Sequence, residues 1–413
     1  MTETNGQSDR YLPRLIAWEV TRSCPLACKH CRAAARPEAY PGELSTAEGR
    51  RLLENIASFS RPTLILTGGE PMLRADIYEL AAHAHRLGLP VVMAPCGKFV
   101  DDAAVARMRR AGIRCISISI DGAAAASHDA FRGVAGAFAF AVRAAEAARR
   151  GVLDFQVNTT VTRHNLAELP AILDLAVRLG ASVFNPFLLV PTGRGRDLAG
   201  QEISPEEYER TLRWLAGQES RPDIRLRVTC APHYARILLQ RRVEGRGPGG
   251  KGAEEGRGSR VEGASEGRGP RAEGPAAAPY SAPREHTGGG SAGGPTSAEA
   301  VLPPHAHPGG PPWGGKGCLG GKAFAFISHV GKVQICGFLE TECGDLRRTG
   351  LDFRTVWETS DVFLRMRNVD RYGGKCGRCE YRRICGGCRA RAFAMTGDDL
   401  AEEPFCIYQP RGG

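Results

Sequence analysis

The chain has 413 residues, and at ~100–200 residues per domain this length predicts two or three domains with a sizeable buried core. The formal net charge is +10, which favours an anionic partner: nucleic acid, a membrane surface or a polycarboxylate ligand. No apolar run reaches 18 residues, so we expect no membrane span. The first ten residues lack a hydrophobic signal core, so we expect a cytoplasmic protein.

Residues 12–243 alternate short β-branched runs with amphipathic stretches rich in Ala, Leu, Glu and Arg. The runs predict strands at 15–20, 63–67, 90–94, 114–120, 155–161 and 182–190, and the stretches predict helices at 45–59, 76–87, 101–111, 136–150, 166–179 and 204–218. Ser45 with Glu48, and Ser204 with Glu207, have the spacing of capping boxes. Six β-then-α units predict an α/β fold with a parallel sheet and helical crossovers.

The rest of the chain divides by composition. Residues 1–11 are expected to be a flexible N-terminus, and 223–242 to form a further strand and a short helix from Pro232. Residues 244–317 hold 21 Gly and 11 Pro among 74 residues, which predicts a low-complexity insertion that cannot bury enough apolar surface to fold. In 318–413 we predict a hairpin at 323–336, a helical stretch at 353–368 and a metal-dependent cysteine cluster.

Fourteen cysteines without an export signal point to reduced thiols, and closely spaced thiols in that setting predict metal ligands. Cys24, Cys28 and Cys31 follow the first predicted strand as C-x₃-C-x₂-C. Three thiolates in one loop can hold a four-iron cluster and leave one iron open. A zinc site with a distant fourth cysteine is the alternative.

This motif resembles that of the radical S-adenosylmethionine (SAM) superfamily, with His30 at the family's aromatic position. The resemblance implies a partial (β/α)6 barrel and a [4Fe-4S] cluster on Cys24, Cys28 and Cys31. There the open iron chelates SAM, which is cleaved on reduction to a 5′-deoxyadenosyl radical. The implied SAM contacts are Gly68, Gly69, Glu70 and Pro71 in the T-G-G-E-P turn, together with Ser119, Asp121 and Arg132. Asn158 and Thr160 are further candidates, for which hydrogen bonding within the fold is an equal alternative.

The C-terminal cysteines resemble the SPASM extension of radical SAM enzymes, which houses auxiliary iron–sulfur clusters. The resemblance implies one or two auxiliary [4Fe-4S] clusters. The outer cluster would take Cys376, Cys379, Cys385 and Cys406, and the inner one Cys318, Cys336, Cys343 and Cys388. Two residues, not the family's three, separate Cys385 from Cys388, which puts Cys388 in doubt. Zinc knuckles are the alternative. Cys96 and Cys230 lack ligand spacing, and Cys115 is expected in the core.

Longer stretches such as TCAPHY and CGRCEYRRICGGCRARAF are similar to the radical SAM heme b synthases of the siroheme-dependent heme pathway. That family decarboxylates two propionates of iron-coproporphyrin III to vinyl groups. It implies a tetrapyrrole substrate, an electron donor such as flavodoxin or ferredoxin, and no nucleic acid. For the anionic ring we consider Arg194, Arg196, His233, Tyr234 and His329, with ordinary surface or core placement as the alternative for each.

Three other functions stay open from the sequence. One is a relative that removes side chains from another siroheme-derived tetrapyrrole. Another is a SPASM enzyme that modifies a peptide, although the first strand begins by residue 15 and leaves no room for a preceding peptide-binding domain. The third is a non-enzymatic zinc or electron-transfer module that binds nucleic acid. That module would not explain the cysteine loop beside a G-G-E-P turn.

Overall fold

One sheet organises the molecule. The structure, a computed structural model, describes residues 11–244 and 317–411. The strands are β1 (Leu15–Thr21), β2 (Thr63–Gly68), β3 (Val91–Met93), β4 (Ile113–Ser119), β5 (Asp154–Val161), β6 (Val183–Leu188), β7 (Arg225–Leu226), β8 (Phe324–Ile327), β9 (Lys332–Cys336) and β10 (Leu339–Asp345). Their order across the sheet is β10-β9-β8-β1-β2-β3-β4-β5-β6-β7.

Strands β1 to β7 are all parallel, as the six βα units predict. Within the described residues the sheet stays open, because β7 and β10 are its two edges. This is the α/β partial barrel expected from the sequence. The predicted seventh strand is reduced to the two residues of β7.

Helices connect the strands and cover one face of the sheet. They are α1 (Thr46–Phe59), α2 (Ile77–Arg86), α3 (Asp102–Arg110), α4 (Ala125–Arg132), α5 (Ala137–Arg150), α6 (Leu169–Leu179), α7 (Pro205–Gly217), α8 (His233–Glu244), α9 (Phe353–Thr359), α10 (Asp361–Arg367), α11 (Gly374–Arg378) and α12 (Arg389–Thr396). Both predicted capping boxes are present, at Ser45 and Ser204. Helix α4 was not predicted, and the helical stretch at 353–368 divides at Ser360 into α9 and α10.

The C-terminal segment joins the same sheet. Strand β8 pairs in parallel with β1, from Leu15 opposite Phe324 to Trp18 opposite Ile327, and β9 and β10 extend the sheet antiparallel. The predicted hairpin therefore forms, with its turn before Gly331, and it widens the sheet at the β1 edge. The described residues up to Arg242 and from 317 onward belong to one compact unit. The predicted insertion, apart from Glu244 and Gly317, lies outside the described residues.

Side chains alternate between the two faces of each strand, and the alternation separates core from site. One face carries Ile16, Trp18, Phe184 and Leu188 into the hydrophobic core beneath the helices. The other face carries polar and aromatic side chains, including Glu19 on β1. Within the described residues, no helix is long and apolar enough to cross a membrane.

Candidate active site

The three-cysteine loop follows β1 directly, and each of its thiols has a hydrogen-bond donor. The Leu26 N–H lies 3.5 Å from Cys24 Sγ, and the Ala35 N–H lies 3.4 Å from Cys31 Sγ. The Arg132 guanidinium donates to Cys28 Sγ at 3.7 Å. Donors aimed at sulfur favour the thiolate, the form that binds metal. The loop's donor set therefore fits an iron–sulfur cluster.

The G-G-E-P turn packs against the start of this loop. The Gly69 N–H donates to Thr21 O and the Glu70 N–H donates to Ser23 O, at 2.8 and 2.7 Å. A Cβ on Gly69 would lie 2.3 Å from Ser23 O, so only glycine allows the two chains to approach this closely. The spacing of the two motifs in sequence thus becomes direct contact in the fold.

Glu70 is fully buried at this turn. Its carboxylate accepts the Met72 N–H at 2.8 Å and the Cys96 N–H at 2.5 Å. Burial raises the pKa of Glu70, because the charged form loses its hydration. Cys96 also packs against the cluster of buried residues that includes Cys24 and Cys28, so it joins the turn to the cysteine loop. Cys96 lacks ligand spacing in the sequence, and its place after the third predicted strand is the only sequence signal for it.

The side of the site away from the G-G-E-P turn is formed by Asp121, Arg132 and His30. Arg132 Nε donates to Asp121 Oδ2 at 2.9 Å, and His30 Nε2 lies 3.8 Å from the same oxygen. Burial raises the pKa of Asp121, but the Arg132 guanidinium, the two neighbouring histidines and the Thr160 N–H together outweigh burial and hold it below its usual range. Burial lowers the pKa of His30 to about 4, so this ring is neutral. It stacks on Phe131 with ring centroids 4.7 Å apart.

Ser119 and Asn158 are direct neighbours in the register of β4 and β5. Asn158 Oδ1 accepts hydrogen bonds from Gln156 Nε2 at 2.9 Å and from Asn185 Nδ2 at 3.2 Å. The Thr160 N–H donates to Asp121 Oδ1 at 2.7 Å. Asn158 and Thr160 therefore both make hydrogen bonds within the fold, and their contact with SAM stays a prediction.

Arg194 lies beside the cysteine loop and contacts its backbone. Its Nε donates to Cys28 O at 2.9 Å and its Nη1 donates to Ala35 O at 2.6 Å. Gly193, at φ +55°, allows the close approach, since a Cβ there would lie 2.1 Å from Arg32 O. Arg194 braces the loop that carries the cysteines, and its contact with substrate stays a prediction. Arg196 is exposed.

The other candidate substrate residues separate in space. His329 Nδ1 lies 3.1 Å from Glu19 Oε2 on the polar face of β1. Tyr234 uses its hydroxyl to donate to Glu219 Oε1 at 2.5 Å. His233 is buried against the Tyr208 hydroxyl at 3.2 Å and borders the cysteine recess of the C-terminal segment. The structure does not bring these three together.

A buried cluster around Glu19 escaped the sequence analysis. The Glu19 carboxylate accepts from Arg32 Nη2 at 3.0 Å and from Arg22 Nη2 at 3.2 Å. Burial raises the pKa of Glu19, but the His329 hydrogen bond and the two guanidinium charges outweigh it and bring it to about 2. The Arg32 guanidinium also lies 4.5 Å from the Phe326 ring centroid. Arg22 also donates its backbone N–H to Glu43 Oε1 at 3.3 Å, so two guanidinium groups and two carboxylates meet here.

The four predicted outer-cluster cysteines line one recess in the C-terminal segment. They are Cys376, Cys379, Cys385 and Cys406. The Arg389 guanidinium donates to Cys376 Sγ at 3.7 Å, and the Glu403 N–H lies 3.3 Å from the same sulfur. The recess and its donors fit a cluster of four thiolates.

The inner set is only partly assembled as predicted. Cys318, Cys336 and Cys388 are electrostatic neighbours of one another. Cys343 lies on β10 between the residues paired with Gln334 and Val333, whereas Cys336 is paired at the other end of this ladder, opposite Leu339. The Cys343 thiol donates to Thr341 O at 3.8 Å. Cys115 is buried, as expected of a core residue.

Comparison with known proteins identifies the family. The model of the radical SAM superfamily matches residues 18–176, which include the cysteine loop, the G-G-E-P turn and Arg132. The AdoMet-dependent heme synthase of Oleidesulfovibrio alaskensis is 44% identical over 96% of this chain and 88% of that protein. The chain belongs to the radical SAM superfamily. As a radical SAM enzyme it uses a [4Fe-4S] cluster and SAM, and its cysteine-rich C-terminal segment is consistent with auxiliary clusters.

Two further likenesses extend this assignment. The pre-heme d1 synthase of Dinoroseobacter shibae is 31% identical over 95% of this chain and 85% of that protein. The solved structure of Streptococcus suis SuiB bound to S-adenosylmethionine has a TM-score of 0.63 at 12% identity, covering 96% of this chain and 78% of that one. This structural likeness confirms the radical SAM fold.

Proposed function

We propose that this radical SAM enzyme acts in heme biosynthesis, oxidatively decarboxylating two propionates of iron-coproporphyrin III to vinyl groups to give heme b. The observation that carries the proposal is the 44% identity, over nearly the whole chain, to an AdoMet-dependent heme synthase. Identity to the pre-heme d1 synthase is lower, at 31%. Iron-coproporphyrin III is therefore favoured over another siroheme-derived tetrapyrrole.

The polar face of the sheet supports a flat, anionic substrate. Arg22 and Arg32 converge on the Glu19 carboxylate, and a forked guanidinium group suits a propionate. Phe326 lies under Arg32, and the rings of Phe187 and Phe338 have centroids 6.4 Å apart. Aromatic faces suit the apolar surface of a tetrapyrrole. Arg22 and Arg32 therefore join Arg194 as our candidates for carboxylate binding.

The residues around the cysteine loop would hold the cofactors. Cys24, Cys28 and Cys31 would bind the cluster, while Glu70, Ser119, Asp121 and Arg132 would contact SAM. When bound, these groups supply a carbon-centred radical able to remove the hydrogen of an unactivated propionate β-carbon. The chain's own part is to brace the loop through Arg194, to fix Arg132 against Asp121, and to keep His30 neutral.

We further propose that Cys376, Cys379, Cys385 and Cys406 hold an auxiliary cluster that accepts the electron released with carbon dioxide. A small reduced carrier such as flavodoxin or ferredoxin would supply electrons to the first site, and the reduced thiols suit the cytoplasm.

Anaerobically purified protein, incubated with SAM, a reductant and iron-coproporphyrin III, is expected to yield 5′-deoxyadenosine and a tetrapyrrole lacking two carboxyl groups by mass spectrometry. A parallel incubation contains a siroheme-derived tetrapyrrole instead. Turnover of that compound and not of iron-coproporphyrin III would refute the proposed step while leaving the superfamily assignment intact.

A further inference from the structure

Arg227 follows β7 at one edge of the sheet, and its side chain lies on the polar face. Its N–H donates to Phe184 O at 2.9 Å, which continues the pairing of β7 with β6. On either side of it, Leu226 belongs to the core beneath the helices and Val228 packs against that core. Because side chains alternate along an extended strand, Arg227 points to the opposite face, which carries the site.

A row of polar side chains crosses this face at the level of Arg227. Thr229 Oγ1 donates to Asn185 Oδ1 at 2.8 Å, and Asn185 Nδ2 donates to Asn158 Oδ1 at 3.2 Å. Asn158 is in turn paired in register with Ser119. Ser119, Asn158 and Arg227 are partly exposed, whereas the neighbouring side chains that face the helices are almost fully buried. A ligand can therefore reach this row.

The Arg227 guanidinium makes no hydrogen bond and no ion pair within the described residues. Its electrostatic neighbours are Cys115 and a second cation, Arg225. The one carboxylate on this face of β4 to β7 is Asp154, which is exposed at the start of β5 and lies about 13 Å along that strand from Asn158. Burial lowers the pKa of Arg227, because the charged form loses its hydration. A guanidinium shielded from water without an anion is costly, and a carboxylate ligand would compensate that cost.

An aromatic pair lies one step further along the strands. Phe187 is paired with Thr229, two residues beyond Arg227, and its ring centroid lies 6.4 Å from that of Phe338. Phe338 precedes β10, the strand at the other edge of the sheet, so the two edges approach each other here. Arg227 thus lies beside an apolar aromatic surface. A guanidinium next to aromatic rings matches a flat ring that carries carboxylates.

We propose that Arg227 binds a carboxylate of the tetrapyrrole substrate on the polar face of the sheet. This inference rests on the proposed function, and it adds a third guanidinium to those of Arg22 and Arg32, which contact Glu19 on β1. A forked guanidinium can bind one carboxylate through two parallel hydrogen bonds. Because Arg227 has no hydrogen-bond partner among the described residues, its donors are available to the ligand. Guanidinium groups at β1 and at β7 would together fix the orientation of a ring that carries several carboxylates.

The test is a titration of the protein with iron-coproporphyrin III, followed by absorbance without SAM, so that a SAM contact cannot affect the result. Arg227→Met is expected to raise the Kd about 10- to 100-fold, because a charge-assisted hydrogen-bonded pair is lost. Arg227→Lys keeps the charge without the fork, and its Kd is expected to lie between these values. Arg225→Met is the matched control, since Arg225 is exposed on the same face two residues earlier, and its Kd is expected to stay within about twofold of wild type.

Two further measurements separate ligand binding from a structural role. The tetramethyl ester of the same iron porphyrin carries no carboxylate, so wild type and Arg227→Met are expected to bind it equally. The melting temperature of substrate-free Arg227→Met is expected to equal or exceed that of wild type, because the substitution removes an unpaired, shielded charge.

Three results would overturn the inference and leave the proposed function standing: an unchanged Kd in Arg227→Met, an equal rise for the ester or in Arg225→Met, or a lowered melting temperature. Failure of the wild-type protein to bind iron-coproporphyrin III would refute the proposed function instead. The same variants would then be titrated with the siroheme-derived tetrapyrrole, whose carboxylates test Arg227 in the same way.

Discussion

Arg194 and Arg196 are two residues apart, both predicted from sequence to bind substrate, yet the structure gives them different roles. Replacing Arg194 with Met removes two side-chain hydrogen bonds to the backbone of the cysteine loop, at Cys28 O and Ala35 O. A hydrogen bond involving a charged group contributes about 1.5–3 kcal/mol. The side chain is only half-buried, which favours the lower end, so the pair stabilises the ordered loop by about 3 kcal/mol.

A change of 3 kcal/mol corresponds to about a 150-fold shift in the population of the ordered loop. We therefore expect Arg194→Met to lower the rate of SAM cleavage by about 10- to 100-fold, which is less than this 150-fold shift. The variant should also retain less iron at the Cys24, Cys28 and Cys31 site. The assay is 5′-deoxyadenosine formation under reduction without porphyrin, since a substrate contact cannot affect that rate. Arg194→Lys keeps one donor and is expected to recover part of the activity.

Arg196→Met is the control, because Arg196 is exposed. Exposed substitutions usually change stability by no more than ~0.5 kcal/mol, so SAM cleavage by this variant is expected to stay within about twofold of wild type. The reasoning would be refuted if Arg194→Met cleaved SAM at the wild-type rate and showed only a raised KM for iron-coproporphyrin III. That outcome would restore Arg194 as a substrate contact.

Four further predictions test other parts of the molecule. Changing Cys24, Cys28 and Cys31 together to Ala is expected to abolish 5′-deoxyadenosine formation while auxiliary iron remains, and continued formation would contradict the assignment. Burial lowers the pKa of His128 to about 4, so a pH below 6.5 protonates this histidine only in the unfolded state. The free energy of unfolding is therefore expected to fall by about 1.4 kcal/mol at pH 5.5, and the drop in melting temperature between pH 7.5 and pH 5.5 should be smaller in His128→Asn. Replacing residues 245–316 with a Gly/Ser linker is expected to keep activity within a few-fold, and iron loss would show that the tract aids assembly. A folded, porphyrin-binding Cys379→Ala protein is expected to cleave SAM but form little vinyl product, and a normal heme yield would exclude an essential electron-accepting role for that cluster.

Much of the fold follows from local sequence signals. Strand β1, predicted at 15–20, is observed at Leu15–Thr21, and both capping boxes start helices where Ser45 and Ser204 predict them. Each of these features depends on residues within one or two turns of chain. Helix α4 was missed because its N-cap position, Ala124, makes no side-chain capping bond. Strand β10 was missed because its irregular pairing with β9 disturbs the alternation of its side chains.

The site was predictable where chemistry depends on spacing, and obscure where it depends on contacts across the fold. C-x₃-C-x₂-C and T-G-G-E-P are local motifs, so both could be found in the sequence. The brace from Arg194 to Cys28 joins residues 166 positions apart, and no sequence pattern specifies which carbonyl a guanidinium will reach. The contact of Arg391 with Cys230 O likewise joins residues 161 positions apart.

Arg391, on α12 of the C-terminal segment, contacts the barrel at the end of β6 and at Cys230. Its guanidinium donates to Leu189 O at 2.7 Å and Leu188 O at 3.3 Å, at the end of β6, as well as to Cys230 O. A buried guanidinium is costly unless it is paired, and its nearest carboxylates are 3.6 Å away on Glu202 and 3.8 Å away on Glu403. An anionic cluster at Cys388 would add the missing compensation. The loop that carries Arg194 starts just after β6, so Arg391 fixes the strand end from which that brace extends.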